Sequence, residues 1–102
     1  MKISYEDYFS IPYGQRNGIY EVENIGTFYY VNGNLHREDG PAEEYIDGIK
    51  YWYFNGKLHR LDGPAYIFDS IEEYYIEYKR YYTKEEFEKV AYLYKNGLQD
   101  YL

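Results

Sequence analysis

The sequence predicts one mainly β domain over residues 1–102, an antiparallel β-meander of about 23-residue repeats capped by a C-terminal amphipathic α-helix. Three observations predict it. The string 28–42 recurs as 51–65, an offset of 23 residues without a gap, and glycines fall every seven or eight residues from Gly18 to Gly63. A helical apolar pattern follows Thr83. We therefore expect a repeat sheet over 15–82 and a helix over 83–97.

The glycines indicate how each repeat turns. Asn32-Gly33, Asn55-Gly56 and Asp47-Gly48 fit two-residue hairpin turns, which need a positive φ at both central positions. Asp39-Gly40-Pro41 and Asp62-Gly63-Pro64 mark the other bend of each unit, with proline opening the next strand. Short runs of Tyr, Phe, Trp, Val and Ile lie between them. This pattern predicts six or seven strands of about five residues each.

Partial copies flank the two complete ones. A third copy starts in the same register at Tyr74, but it has lost the Asn-Gly pair and carries Tyr82 and Thr83 where His59 and Arg60 would fall. Residues 18–26 resemble the back half of a unit. Two full units between two atypical ends are typical of a stacked array. Residues 1–14 stay open between a paired strand and a packed loop.

The predicted helix has clear signals at both ends. Thr83 and Glu86 form a capping box, in which the threonine hydroxyl accepts from a free N–H of the first turn. Gly97 suits the left-handed position that follows a helix. Between them one apolar stripe recurs at helical spacing, formed by Phe87, Val90, Ala91 and Tyr94. We expect this stripe to lie on one face of the sheet and to close the core.

Composition excludes several classes of protein. The chain has 102 residues and no cysteine, so it forms no disulfide and has no thiol nucleophile. A net charge of −7 argues against direct nucleic-acid binding, which needs a basic face. No apolar run has the length of a membrane span, and residues 1–10 lack the features of a secretion signal. The expected compartment is the cytoplasm, and no membrane contact is expected.

The 18 tyrosines are the unusual part of the composition. Tyrosine can form a core, because its ring buries apolar area while its hydroxyl reaches water or a partner. Alternation along a strand places Trp52 and Phe54 on one face and Tyr51 and Tyr53 on the other. We expect Trp52 and Phe54 to face the core. Since the helix can cover only one face, a band of tyrosines should stay exposed and suggests an interface.

His36 and His59 are the residues that suggest a metal site, since each is followed by Arg and, three residues on, by Asp. Equivalent positions of successive two-strand units lie roughly 9–10 Å apart. Ligands of one zinc ion must come within about 2.0–2.2 Å of it, so we expect no metal and no cofactor. The structural interpretation is that each histidine bonds a turn carbonyl. Arg37 would pair with Asp39 and Arg60 with Asp62, the aspartates of their own motifs. Alternatively, each arginine would pair with the neighbouring unit.

No catalytic residues are expected. The serines have no nucleophile elbow or neighbouring histidine, and no glycine-rich phosphate loop is present. The carboxylate pairs Glu43-Glu44 and Glu72-Glu73 could supply an acid and a base. Adjacent residues of a strand point to opposite faces, however, so neither pair can act on one substrate atom. The sequence therefore predicts a protein that is not an enzyme.

Acidic residues concentrate between positions 20 and 49, where Arg37 is the only Lys or Arg residue. The acidic residues of this segment are Glu21, Glu23, Glu38, Asp39, Glu43, Glu44 and Asp47. One interpretation is that this charge solvates a tyrosine-rich sheet and protects its edges. Alternatively, the carboxylates occupy the places of phosphates in a basic groove of a partner. The residues that would contact this partner are Glu38, Glu43, Glu44, Tyr45, Asp47, Tyr51, Tyr53, Glu72 and Glu73.

The motif Asn-Gly-x-Leu-His-Arg-x-x-Gly-Pro-Ala, at 32–42 and 55–65, resembles MORN-like short β-repeats of phage, giant-virus and bacterial proteins. The resemblance covers about residues 18–82. It implies a repeat scaffold that serves as an interaction platform and a phage or mobile-element origin, and it implies no reaction.

Together these features favour a non-enzymatic acidic protein that docks on a basic surface of a host nucleic-acid-handling protein and inhibits it. A CRISPR effector or another defence nuclease is the expected partner, which makes this an inhibitor of the anti-CRISPR, anti-defence kind. One alternative is an antitoxin or immunity protein that neutralises a cognate toxin. The other is a self-assembling structural module, since exposed tyrosines also suit self-association.

Overall fold

One long sheet runs through the molecule, and a computed structural model describes all residues 1–102. The strands are β1 (Lys2–Ile3), β2 (Gly18–Val22), β3 (Gly26–Val31), β4 (Asn34–Leu35), β5 (Glu43–Tyr45), β6 (Lys50–Tyr51), β7 (Tyr53–Phe54), β8 (Lys57–Leu58), β9 (Tyr66–Phe68), β10 (Ile71–Ile76) and β11 (Lys79–Tyr81). The helices are α1 (Tyr5–Ser10) and α2 (Lys84–Lys95), with 3-10 turns at Tyr13–Gln15 and Gln99–Tyr101. Neither α-helix has the length and apolar character needed to cross a membrane.

The sheet confirms the predicted mainly β meander with a C-terminal helix. Its strand order is β1-β2-β3-β5-β6-β9-β10-β11, with β4 hydrogen-bonded to β3 and with β7 and β8 forming a separate hairpin. All pairings are antiparallel except that of β1 with β2. The molecule is elongated, with extents of 45 × 30 × 18 Å. This shape is typical of units stacked in one direction.

The strands are more numerous and shorter than predicted, because the chain changes its pairing partner within each unit. Trp52, between β6 and β7, donates its N–H to the carbonyl of Ala65 and accepts from the N–H of His59. The equivalent residue Tyr29 donates to Ala42 in the same way. Ala42 and Ala65 are both fully buried at 0% exposure, which explains why the motif ends in its smallest side chain.

Two of the three predicted hairpin turns are confirmed. The φ values are 49° at Asn32 and 84° at Gly33, and they are 50° at Asn55 and 78° at Gly56. The prediction of a two-residue turn at Asp47-Gly48 is wrong, because the loop that forms there, Ile46–Gly48, has three residues. The N–H of Tyr45 donates to Ile49 across the loop, and only its last residue, Gly48, has a positive φ, of 98°.

The third copy is one residue shorter than the second, so its predicted register is wrong by one position. The N–H of Tyr78 donates to the carbonyl of Leu58, as the N–H of Gly56 donates to the leucine carbonyl one unit earlier. Tyr78 therefore replaces Gly56 after 22 residues, not 23. The turn at Asp69–Ser70 accounts for the difference, since β9 and β10 pair directly across these two residues.

The shorter turn changes which side chains complete the third unit. Tyr81 and Tyr82, and not Tyr82 and Thr83, take the places of His59 and Arg60. Tyr81 is 5% exposed and packs into the C-terminal core, whereas Tyr82 is 79% exposed.

Successive units are joined by a side-chain ladder. The Nδ1 atoms of His36 and His59 accept the N–H groups of Asn55 and Glu77, at 2.9 and 3.0 Å. At the start of the array Asn17 accepts from Asn32 in the same way. The expectation that histidine bonds a turn carbonyl is therefore wrong. Each ring acts as an acceptor from the first residue of the next hairpin turn.

The two motif arginines stack on the aromatic residue of the preceding strand. The guanidinium of Arg37 lies 4.1 Å from the Tyr29 ring centroid, and that of Arg60 lies 4.1 Å from the Trp52 ring. Each also donates to the carbonyl of the proline four residues on.

The predicted ion pair of Arg37 with Asp39 forms, at 3.0 Å. The predicted pair of Arg60 with Asp62 does not form, because Asp62 pairs at 3.0 Å with Lys95 of α2.

The two helices cover opposite faces at opposite ends of the sheet. Face A is defined by the consecutive register partners Tyr20, Phe28, Glu43, Tyr51, Tyr66 and Glu73. Face B is defined by the row beside it, Glu21, Thr27, Glu44, Lys50, Ile67 and Glu72. Tyr8 of α1 packs on face A, with its ring stacked 5.3 Å from Phe28. Phe87 of α2 packs on face B, 4.7 Å from the ring of Tyr74.

The predicted features of α2 are confirmed. Thr83 caps its start, with its hydroxyl accepting from the N–H of Glu86 at 3.1 Å. Phe87, Val90 and Ala91 of the predicted stripe are buried. Gly97, just past the helix end, has a φ of 68°.

The expectation that Trp52 and Phe54 form the core face is wrong, because α1 and its core lie on the other face. Phe54 is 39% exposed, and Trp52 is half-buried beneath Arg60. Residues 1–14, left open by the sequence, form β1, α1 and the start of a 3-10 turn. Ser4 caps α1 by accepting from the N–H of Asp7 at 3.1 Å.

Candidate protein-binding face

The structure brings five of the nine predicted binding residues together on face A. These are Glu43, Tyr45, Tyr51, Tyr53 and Glu73, each in register with or two residues from the row that defines this face. Glu44 and Glu72 point to face B, because Glu44 directly follows Glu43 and Glu72 directly precedes Glu73 on a strand. Glu38 and Asp47 lie in exposed connections, outside both faces.

Tyr51 is the centre of the face A group. Its ring centroid lies 6.2 Å from Tyr45, 6.1 Å from Tyr53 and 4.9 Å from Tyr66. The four rings come from β5, β6, β7 and β9, so they form a continuous surface across the middle of the sheet. We call these four tyrosines, together with Glu43 and Glu73, the tyrosine patch.

The tyrosine patch borders the core that α1 covers and extends from there toward β9 and β10. Tyr45 and Tyr53 pack against that core, and the Phe28 ring makes an edge contact of 5.4 Å with Tyr45. Helix α2 packs on the opposite face. All six side chains of the patch are half-buried. Half-buried tyrosine rings combine apolar area with polar hydroxyl tips, which suits contact with another protein.

Glu43 is the carboxylate at the heart of the patch, and no Lys, Arg or His nitrogen forms an ion pair with it. Burial raises its pKa to about 7, an increase that the Tyr45 hydroxyl partly offsets. Burial together with the charge of Glu43 also raises the pKa values of the Tyr45 and Tyr53 hydroxyls. Burial thus raises the pKa of the Glu43 carboxyl to near neutral pH, and no paired cation offsets the increase.

Glu73, at the other end of the patch, is satisfied within the chain. It accepts from the hydroxyl of Tyr75 at 3.0 Å and lies 3.5 Å from the guanidinium of Arg80. Burial, followed by this hydrogen bond, raises the pKa of Tyr75. The two carboxylates of the patch therefore differ, since only Glu43 has no cationic partner.

Face B has a different character. Glu44 lies 2.8 Å from Arg37, which is itself stacked on Tyr29. Two grooves lie on this face, one of about 560 Å³ beside α2 and one of about 320 Å³ between the motif loops. Charges of both signs line each of them, including the pair of Asp62 with Lys95 in the larger groove. Glu44 and the groove residue Asp62 therefore each have a cation within ion-pair distance.

Sequence reasoning missed Tyr66 and Tyr75, which extend face A toward the C-terminal end. Tyr66 is the register partner of Tyr51, and Tyr75 lies two residues beyond Glu73 on the same strand. Alternation along β9 and β10 carries the signal. The signal becomes readable only once the pairing of β6 with β9 is known.

Comparisons of the chain with protein-family models, with curated proteins and with solved structures found no match.

Proposed function

We propose that this protein is a non-catalytic binding module that docks the tyrosine patch of face A on a basic surface of a nucleic-acid-handling protein and inhibits it. The observation that carries the proposal is the position of the patch. Four neighbouring tyrosines and two carboxylates form one half-buried surface on face A, which starts at the core under α1 and runs toward the end of the sheet where α2 packs on the opposite face. Tyrosine is among the residues that contribute most to protein interfaces.

Charge supports a basic partner. The chain carries a net charge of −7, and complementary charge both accelerates association and selects the partner. A nucleic-acid-handling protein, such as a CRISPR effector or another defence nuclease in the cytoplasm, presents a basic groove of this kind. The MORN-like resemblance of the repeats is consistent with an interaction scaffold. In this proposal the carboxylates take the places of phosphates.

Neighbouring residues of the chain offer a matched test of the docking face. Glu43→Gln with Glu73→Gln replaces two carboxyl groups of face A, and Glu44→Gln with Glu72→Gln replaces two of face B. The wild-type protein and both double variants are used as bait in a host lysate at low and high salt. Captured proteins are identified by mass spectrometry, and the recovered protein is then assayed for nuclease activity with each bait added.

We expect a nucleic-acid-handling protein to be captured and inhibited by the wild type and the face B variant. The face A variant should capture much less of it, and high salt should weaken the contact because both surfaces are charged. Equal capture by the two double variants would show that face A is not the docking face. Recovery of the protein alone would favour self-association, and recovery of one small toxin would favour an antitoxin.

A further inference from the structure

Glu43 differs from every other carboxylate that the sheet half-buries. Glu44 pairs with Arg37 and Glu73 with Arg80, whereas Glu43 has no cation within ion-pair distance. The titratable groups that interact with its charge are phenols, contributed by α1, by the 3-10 turn, by its own strand and by β6 and β7. They are Tyr8, Tyr13, Tyr45, Tyr51 and Tyr53. The guanidinium of Arg16 donates to the hydroxyl of one of them, Tyr8, at 3.3 Å. A carboxylate surrounded by aromatic rings is a favourable environment for a cation.

The opposite face shows what such an arrangement binds. There the guanidinium of Arg37 lies 4.1 Å over the ring of Tyr29 and donates to Glu44 at 2.8 Å. Glu44 is the next residue after Glu43, so the same strand presents one carboxylate to each face. On face A, Glu43 has the rings around it but no guanidinium within ion-pair distance, since Arg80 pairs with Glu73 and Arg16 binds the hydroxyls of Tyr8 and Tyr30.

Stacking of arginine on an aromatic ring is the commonest cation contact of this chain. Arg16 lies 4.1 Å from the ring of Tyr8, Arg60 lies 4.1 Å from Trp52 and Arg80 lies 4.6 Å from Tyr82. A guanidinium suits a flat patch better than an ammonium does, because it is planar and can stack while it donates in its own plane.

We propose that Glu43 and the rings of Tyr45, Tyr51 and Tyr53 form a receptor for one arginine side chain of the partner protein. The inference rests on the proposed docking of face A and names the group that this face receives. In the complex the guanidinium stacks on the tyrosines and donates to the carboxylate, as Arg37 does on face B. Because Glu43 holds a proton near neutral pH when free, the arriving cation displaces that proton.

The test uses a tetra-arginine peptide, with a tetra-citrulline peptide as the neutral control of the same shape. Carbon-13 NMR of the glutamate side chains follows each titration, with the wild-type protein, Glu43→Gln and the face B control Glu72→Gln. We expect the arginine peptide to lower the pKa of Glu43 and to bind more tightly at about pH 8 than at about pH 6. Glu43→Gln should weaken binding about tenfold or more and remove this pH dependence, while Glu72→Gln should leave both unchanged.

Equal binding by wild type and Glu43→Gln, or a titration that perturbs other carboxylates and leaves Glu43 unmoved, would overturn the receptor. Tyr51→Leu keeps the patch apolar and removes the aromatic face at its centre, so undiminished binding by this variant would also count against it. A lysine peptide that binds as tightly would contradict the preference for guanidinium.

The proposed function fails separately from the receptor. If arginine binds at Glu43 but the face A double variant still captures and inhibits the partner, the docking proposal is wrong and the receptor stands. If capture needs face A but Glu43→Gln alone binds the peptide normally, the docking face stands and the receptor is wrong.

Discussion

Gly40 is required by the side chain of its neighbour Arg37, and not by its own backbone. Its φ is not positive, so an alanine could adopt the same conformation. A Cβ added there would lie 2.8 Å from the guanidinium carbon of Arg37, and one at Gly63 would lie 3.1 Å from that of Arg60. The glycine of the repeat motif therefore leaves room for the arginine that stacks on the aromatic ring of the preceding strand.

This dependence predicts a strong coupling between the two positions. Gly40→Ala should lower the free energy of unfolding by about 1–3 kcal/mol, because the guanidinium must leave its packed position. In an Arg37→Ala background the same change should be neutral or stabilise by about 0.4–1 kcal/mol, since alanine restricts the unfolded chain. Urea unfolding of the four proteins measures the cycle. Equal effects of Gly40→Ala in both backgrounds would show that the glycine serves the backbone instead.

Glu43 should make stability fall as pH rises. Its pKa is raised from 4.5 to about 7 in the folded protein, so the fold binds a proton that the unfolded chain releases. The stability linked to this proton is fully present below pH 4.5 and is lost as the pH rises through 7. Allowing for the exposed part of the carboxylate, the loss is about 2 kcal/mol. Urea unfolding between about pH 5 and pH 8 should show this decline in the wild type and not in Glu43→Gln.

At the scale of elements, the side-chain ladder sets the spacing between successive hairpins. Asn17, His36 and His59 each accept the N–H of the first residue in the next turn. An amide oxygen and an imidazole nitrogen are thus equivalent here, provided that the imidazole is neutral at Nδ1. Protonation of the ring removes the acceptor.

Substitution of His59 separates the hydrogen bond from the titration. His59→Ala should lower the free energy of unfolding by about 1 kcal/mol, whereas His59→Asn should keep most of the stabilisation that this hydrogen bond provides. Burial lowers the pKa of His59 below its ordinary value of 6.5, so its stabilisation is present above pH 6.5 and lost as the pH falls through the lowered pKa. Urea unfolding should therefore show the wild type losing stability relative to His59→Asn on acidification. A constant difference between them would mean that the ring keeps its acceptor.

Local signals explain which elements could be predicted from the sequence. The Asn-Gly turns and the Thr83 cap depend on residues a few positions apart, and these predictions are confirmed. The same capping signal is present at Ser4 and Asp7 and would have revealed α1. The register of the third unit could not be read, because the one-residue loss at Asp69–Ser70 leaves an aromatic run that matches the repeat at either offset.

Across the whole molecule, the pattern of alternation assigns residues to shared faces but does not say which face is covered. It correctly separates Glu43 from Glu44 and groups Tyr51 with Tyr53. It could not show that α1 covers one end of face A while α2 covers the other end of face B, since that depends on where each helix returns to the sheet. The tyrosine patch is a consequence of this offset, because α1 covers only the N-terminal end of face A and α2 covers none of this face.

The same offset divides the core into two clusters. One is built around Tyr8 and the strands β2 and β3, and the other around Phe87 and the strands β10 and β11. No buried residue belongs to both. In a stacked array each unit is stabilised by itself and by its neighbours, so the two ends should be able to open separately.

Phe87→Ala, with Tyr8→Ala as its counterpart at the other end, tests this separation by amide hydrogen exchange. Phe87→Ala should cost about 3–5 kcal/mol and remove protection from α2, β10 and β11, while the amides of β2 and β3 stay protected. Tyr8→Ala should produce the reverse pattern. Uniform loss of protection in both variants would show one cooperative unit. Independent opening would mean that the patch in the middle keeps its strand register even when either end is destabilised, because it is held by pairings on both sides.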